Sequence, residues 1–151
     1  MSKQPGIASK STGTLTVLSV SPLTEDRLSL QAILYHSRWS LLSAHDRVSA
    51  LPFLEGHDIA VVVCEADVQR RTWFDILESC RRVARPPCLI VASKLADDRL
   101  WAEALNLGAW DVLAKPFHPV EVIRSVKSAW QHWHDQIQMC TTVAKVISAA
   151  G

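Results

Sequence analysis

The sequence is short of several features that would have narrowed its function at once. Basic and acidic residues nearly cancel, 16 against 15, so the net charge is +1 and no broad field exists to hold the chain on nucleic acid. No apolar run approaches the roughly 20 residues that a membrane-spanning helix needs. The longest runs, such as Ile59 to Cys64, would fill one strand. The first residues, Met1 to Thr14, lack the apolar stretch of a secretory signal and read as a disordered leader, which makes a soluble, cytoplasmic chain the expectation. Four cysteines, Cys64, Cys80, Cys88 and Cys140, lie far apart with no C-x-x-C pair. They read as reduced thiols, Cys64 and Cys88 serving as small hydrophobes in apolar runs. No catalytic triad or cluster of metal ligands can be assembled, and no repeat or second domain is visible.

What is present is a core. Of 151 residues 48% are hydrophobic and 21% charged, which suits one compact domain and excludes a disordered chain. Leu15 to Val20 is short, β-branched and bounded by Gly13 and Pro22, as a buried strand should be. From Thr24, a candidate N-cap followed by Glu25 and Asp26, the residues Leu28, Leu30, Ile33 and Leu34 recur at helical spacing. Trp39 to Ala44 predicts a second strand and Asp46 to Leu54 a short helix. Ile59 to Cys64 is apolar throughout, the pattern of a strand covered on both faces and the expected centre of a parallel sheet. Thr72 to Val83 predicts a helix, Cys88 to Ala92 a strand after Pro86-Pro87, and Ala96 to Gly108 a helix whose last residue is a suitable C-cap. Trp110 to Ala114 is the last strand, and Pro119 or Val120 opens a long final helix. Five strands alternating with five helices imply a parallel sheet with right-handed crossovers.

In such a sheet ligands bind outside the carboxyl ends of the strands. Those ends hold Ser19, Val20 and Ser21, then Glu65 and Asp67, then Ala92 and Ser93, then Lys115, a sparse polar set. The stretch Gly108-Ala-Trp-Asp-Val-Leu-Ala-Lys-Pro-Phe117, closing the fivefold alternation, resembles the receiver domain of two-component response regulators, and the likeness covers about Leu15 to Trp133. The implied fold class is α/β: a doubly wound, five-stranded parallel sheet with helices on both faces, flavodoxin-like and of receiver type, with a long C-terminal helix. The expected division is a leader over 1–14, a receiver-like domain over 15–134 and a helical extension over 135–151.

Receivers take a phosphoryl group from a histidine kinase onto an aspartate at the end of the third strand. Here the resemblance puts Glu65 at that position. The acidic pair that holds Mg²⁺ in the family corresponds to Ser19 and Val20, neither a carboxylate, with Glu25 and Asp26 a few residues later as a secondary choice. The switch hydroxyl corresponds to Ala92, with Ser93 pointing elsewhere, and the switch aromatic to Val112. Only Lys115, before a Pro116 expected to be cis, stands where the family has it. Mg²⁺ takes oxygens at about 2.0 to 2.1 Å, normally from one or two carboxylates, so none is expected here. The Glu65 carboxylate, displaced by about 1.5 Å relative to an aspartate, is a poor acceptor and is expected to pair with Lys115 in a fixed state. Asp67 reads as a turn residue that could be mistaken for the acceptor. Arg70 and Arg71 would draw an anionic partner if they are more than a solvated helix start.

In the final helix Ile123, Val126, Trp130, Trp133, Ile137, Cys140, Ala144 and Ile147 are spaced alternately by three and four, a heptad seam longer than one face of the domain needs. Trp130, Trp133, Ile137, Cys140, Ala144 and Ile147 are the expected interface of a homodimer, the alternative being a helix that ends near Asp135. His132 and His134 read as solvated. The expected function is that of a single-domain, receiver-like signalling protein without enzyme activity or cofactor, acting through contact with a signalling partner such as a histidine kinase. Two alternatives stay open: a conventional phosphorylatable regulator using other acidic residues, and a flavodoxin-like ligand binder, although Ser19 to Thr24 lacks the glycines of a phosphate cradle.

Overall fold

Ten elements alternate strictly along the chain. In the computed structural model, which describes residues 15–35, 37–68 and 72–150, they are β1 (Thr16–Val20), α1 (Thr24–Leu34), β2 (Ser40–Ala44), α2 (Arg47–Gly56), β3 (Val61–Glu65), α3 (Thr72–Cys80), β4 (Cys88–Ser93), α4 (Asp98–Leu107), β5 (Asp111–Ala114) and α5 (Pro119–Ala150). The strands are all parallel in the order β2-β1-β3-β4-β5. β3 is therefore central, as its unbroken apolar run requires, and all five of its residues are buried. Each buried valine of that strand contributes about 1.5 to 3 kcal/mol relative to exposure.

Alternation of side chains across the sheet makes two cores. On one face Leu18, Val62, Cys64, Leu89 and Val91 meet α2, α3 and α4 through Leu54, Ile76, Leu77 and Ala104. On the other Val17, Val61, Val63, Ile90 and Leu113 meet α1 and α5 through Leu30, Leu34, Val122, Val126 and Ala129.

Helix ends depart from the sequence expectations at the start of α1 and of α4, which begins at Asp98 and not Ala96, and at the end of α3, which stops at Cys80 and not Val83. Thr24 begins α1 but does not cap it. The residue before the helix is Leu23, and Ser21 Oγ instead accepts from the Leu23 N–H at 3.0 Å. α2 begins as expected on Asp46, which forms a reciprocal capping box with Ser49. α4 ends on Gly108 in the left-handed conformation, φ 112°. The buried line of α5 also differs from the expected seam. Val122, Ser125, Val126 and Ala129 are buried while Ile123 is only half-buried, because the sheet receives the helix one residue round from the predicted face. The helix does not stop near Asp135 but continues to Ala150. At 32 residues it is about 48 Å long. No described helix is long and apolar enough to cross a membrane. The leader over 1–14 and Arg70 and Arg71 lie outside the described residues.

Candidate functional site

The order reverses between β1 and β3, so the crevice sits at the carboxyl ends of those strands and of their neighbours β4 and β5. Backbone bonds carry the pairing just past the strand ends: the Ala66 N–H donates to Ala92 O at 2.9 Å, and the Lys115 N–H to Ser93 O at 3.0 Å. They fix the backbone from which Asp67, Ser93 and Lys115 project. The Lys115–Pro116 peptide bond is cis, as expected.

Lys115 is the centre of the crevice. Its side chain is 4% exposed, and its Nζ donates to Asp26 Oδ2 at 2.9 Å and pairs with Asp67 Oδ2 at 3.1 Å. Asp26 is itself buried and also accepts from Ser21 Oγ at 2.8 Å. Asp67 accepts from Ser93 Oγ at 2.6 Å and from the Lys94 N–H at 3.0 Å. Three donors from the carboxyl ends of β4 and β5 thus converge on one carboxylate: a hydroxyl, a backbone amide and an ammonium. Burial alone would raise the Asp67 carboxyl, but the Ser93, Lys94 and Lys115 donors outweigh it and hold it below its ordinary value of 3.8. For Lys115 burial works against the charge, and the two aspartates outweigh that penalty, raising the ammonium above 10.5.

The expected pair between Glu65 and Lys115 does not form. Glu65 is buried at the end of β3, but its Oε1 accepts from the N–H groups of Asp67 and of Val68, the latter at 2.6 Å. The extra methylene that was expected to carry the carboxylate to the lysine lets it fold back on its own loop. Ser19 and Val20, matched to the family's acidic pair, are the last two residues of β1 and 2% exposed. The carboxylate that takes the role of lysine partner is Asp26, while Glu25 is exposed. Asp26 is the third residue of α1, whose first turn lies over the strand ends, and side chains tilt toward a helix N-terminus. Ala92 and Val112 are buried in the two cores and present no polar atom. Ser93, expected to point away, is the residue that binds Asp67, and its Oγ also accepts from the Leu95 N–H at 2.9 Å.

Asp67 is therefore a structural anchor of the crevice and more than a turn residue. The available signal for Asp26 was an acidic side chain in a first helical turn five residues after Ser21. On one side the crevice opens into a cleft of about 480 Å³ between α3 and α4, walled by Trp73, Phe74, Leu95 and Leu100. Among the described residues no three His, Cys, Asp or Glu side chains are grouped so as to hold a metal ion.

No protein-family model matches the chain. The regulatory protein VanRc of Enterococcus gallinarum is 30% identical over 96 residues, 63% of this chain and 41% of that protein. The transcriptional regulatory protein CpxR of Escherichia coli strain K12 is 26% identical over 112 residues, 72% of this chain and 47% of that protein. The chain thus spans less than half the length of these curated relatives. Among solved structures it is similar to the signal receiver domain of an HD domain-containing protein from Pseudomonas fluorescens Pf-5, with a TM-score of 0.74 and 22% identity over 83% of this chain and 93% of that one. The signal receiver domain of a putative Luxo repressor protein from Vibrio parahaemolyticus gives a TM-score of 0.75 and 17% identity over 83% and 97%. At these identities the structures speak for the fold.

Proposed function

From the premise that this chain is a receiver domain of the response-regulator type, we propose that it is a pseudo-receiver, a signalling module that works by protein contact and not by phosphoryl transfer. The observation that carries this reading is the pairing of Lys115 with both Asp26 and Asp67 while Glu65 is turned onto its own loop. Mg²⁺ would need those same carboxylates for its near-octahedral oxygen shell. Lys115 already bridges those two, the positions matched to the family's acidic pair, Ser19 and Val20, carry no carboxylate, and among the described residues no three His, Cys, Asp or Glu side chains are grouped to hold a metal ion. The residues present therefore do not suit the metal. The side chain at the family's acceptor position is a glutamate whose Oε1 is already bound to two amides.

The Asp67 carboxylate takes the three donors, Ser93 Oγ, the Lys94 N–H and Lys115 Nζ, that an anionic group arriving in the crevice would have to use. Filled from within, the crevice is held in one state regardless of a phosphodonor. On this reading the module has no enzyme activity and no cofactor, and it acts in the cytoplasm. Its partners are a signalling protein such as a histidine kinase and a second copy of the chain, joined through the distal half of α5. Incubating the protein with acetyl phosphate and Mg²⁺ and measuring its intact mass should show no change. The gain of one phosphoryl group would overturn the reading in favour of a conventional regulator.

A further inference from the structure

We propose that the cavity between α2 and α3 is a binding site for a small organic phosphate, held through its phosphate oxygens by Arg47, Arg82 and Arg85. The cavity has a volume of about 610 Å³ and shares no residue with the crevice or with the cleft between α3 and α4. That size is usual for ligand sites, which run from roughly 300 to 1,000 Å³. Leu51 and Leu54 of α2, and Val83 in the turn after α3, give it an apolar surface. The cations around that surface are three arginines from two separate stretches of chain, with no lysine among them.

The needs of the fold do not account for these arginines. Arg47 is the first residue of α2, the end of a helix at which the dipole disfavours a cation. Among the described residues neither Arg47 nor Arg82 has a carboxylate partner, although Glu55 borders the same cavity. Arg85 is paired with Asp58 at 3.2 Å, but the two side chains are 53% and 70% exposed, and an ion pair so open to water holds weakly and yields to a stronger anion. A guanidinium keeps its proton and presents a planar fork of N–H donors that matches phosphate and carboxylate oxygens two at a time. Convergence of several forks favours phosphate over carboxylate. A phosphate monoester carries a charge of about −1.5 to −2 on three free oxygens, which guanidiniums from both stretches can share, whereas a carboxylate offers one charge on two oxygens. The apolar surface between the arginines then suits the organic part of such a ligand, which inorganic phosphate lacks.

The test titrates the full chain with pyrophosphate and with ATP, without Mg²⁺ and at constant ionic strength, and follows the backbone amide signals of Leu51, Arg82, Val83 and Arg85. Saturable shifts are expected with both, at lower concentrations with ATP. Arg47→Ala and Arg82→Ala should each weaken binding by about tenfold or more, the loss of one charge-assisted bond, without lowering the unfolding temperature. Arg82→Lys should weaken it too, because the charge stays and the fork is lost. Asp58→Asn should tighten it by releasing Arg85, a gain that a merely structural role for these residues would not produce. Shifts no larger than those from sodium chloride at equal ionic strength, or unaffected by the arginine variants, would overturn the site. Tighter binding of citrate than of pyrophosphate would overturn the phosphate assignment, and equal affinity for pyrophosphate and ATP would overturn the organic part of the ligand. Shifts confined to Lys94 and Lys115 would place the anion in the crevice, overturning this site and the filled crevice proposed above together, whereas failure at the arginines alone leaves that crevice as described.

Discussion

At the scale of single residues, Lys115 is the side chain on which most depends. Its ammonium and the Asp26 carboxylate are 4% and 6% exposed, so removing one partner leaves the other as a buried charge. Lys115→Met is expected to cost about 3 to 5 kcal/mol in urea denaturation, and adding Asp26→Leu should recover a large part of the loss. The network also has a pH signature. Asp67 is held below 3.8, so its contribution is present above that value and disappears as pH falls through the lowered one. Lys115 is held above 10.5, so its contribution is present below that value and is lost as pH rises past the raised one. The stability difference between wild type and Lys115→Met should therefore be flat across neutral pH and shrink at both extremes. Trp130 behaves in the opposite way. Its buried Nε1 has no partner among the described residues, although the ring stacks on His134 at 5.0 Å. Trp130→Phe should leave the unfolding free energy unchanged or raise it, since it removes an unpaired donor.

At the scale of elements, the caps explain why two short helices hold. α2 carries Pro52 inside it, and the capping box of Asp46 and Ser49 offsets the backbone bond that proline removes. Asp46→Ala should lower the unfolding temperature, because it removes the side-chain acceptor of the Ser49 N–H and with it the reciprocal box. Most of the element map could be read in advance because each signal was local. The run Ile59 to Cys64 had no polar position, so only a central strand could bury it, and Gly108 marked the end of α4 because that position needs φ 112°. The crevice was harder to read. Lys115 was legible from its place after β5. Asp26 was not, because counting along the strand end leads to Ser19 and Val20, and only the tilt of a first-turn side chain brings a helical carboxylate back over the sheet. The partner of Glu65 was not legible either, because its donors are backbone amides two and three residues on, which local chain geometry supplies and no residue type marks in the sequence.

At the scale of the whole molecule, the two ends of the sheet have different tasks. The carboxyl end holds a cation, Lys115, between carboxylates from α1 and from the loop after β3, and ties the loop after β4 to the same centre through Ser93 and Lys94. The opposite end releases α5 with an exposed apolar stripe on it. On the function proposed above, a crevice filled by its own residues and an exposed apolar stripe on α5 suit constant contact better than switching. The central claim is that the lysine occupies the carboxylates a divalent cation would require. A Mg²⁺ titration followed through the backbone amide signals of Asp67 and Lys94 tests it most directly. Those signals are expected to stay in place up to tens of millimolar Mg²⁺, well beyond about 1 mM, where a working site of even −4.1 kcal/mol would be half filled. A saturable shift of both amides at or below that concentration would contradict it.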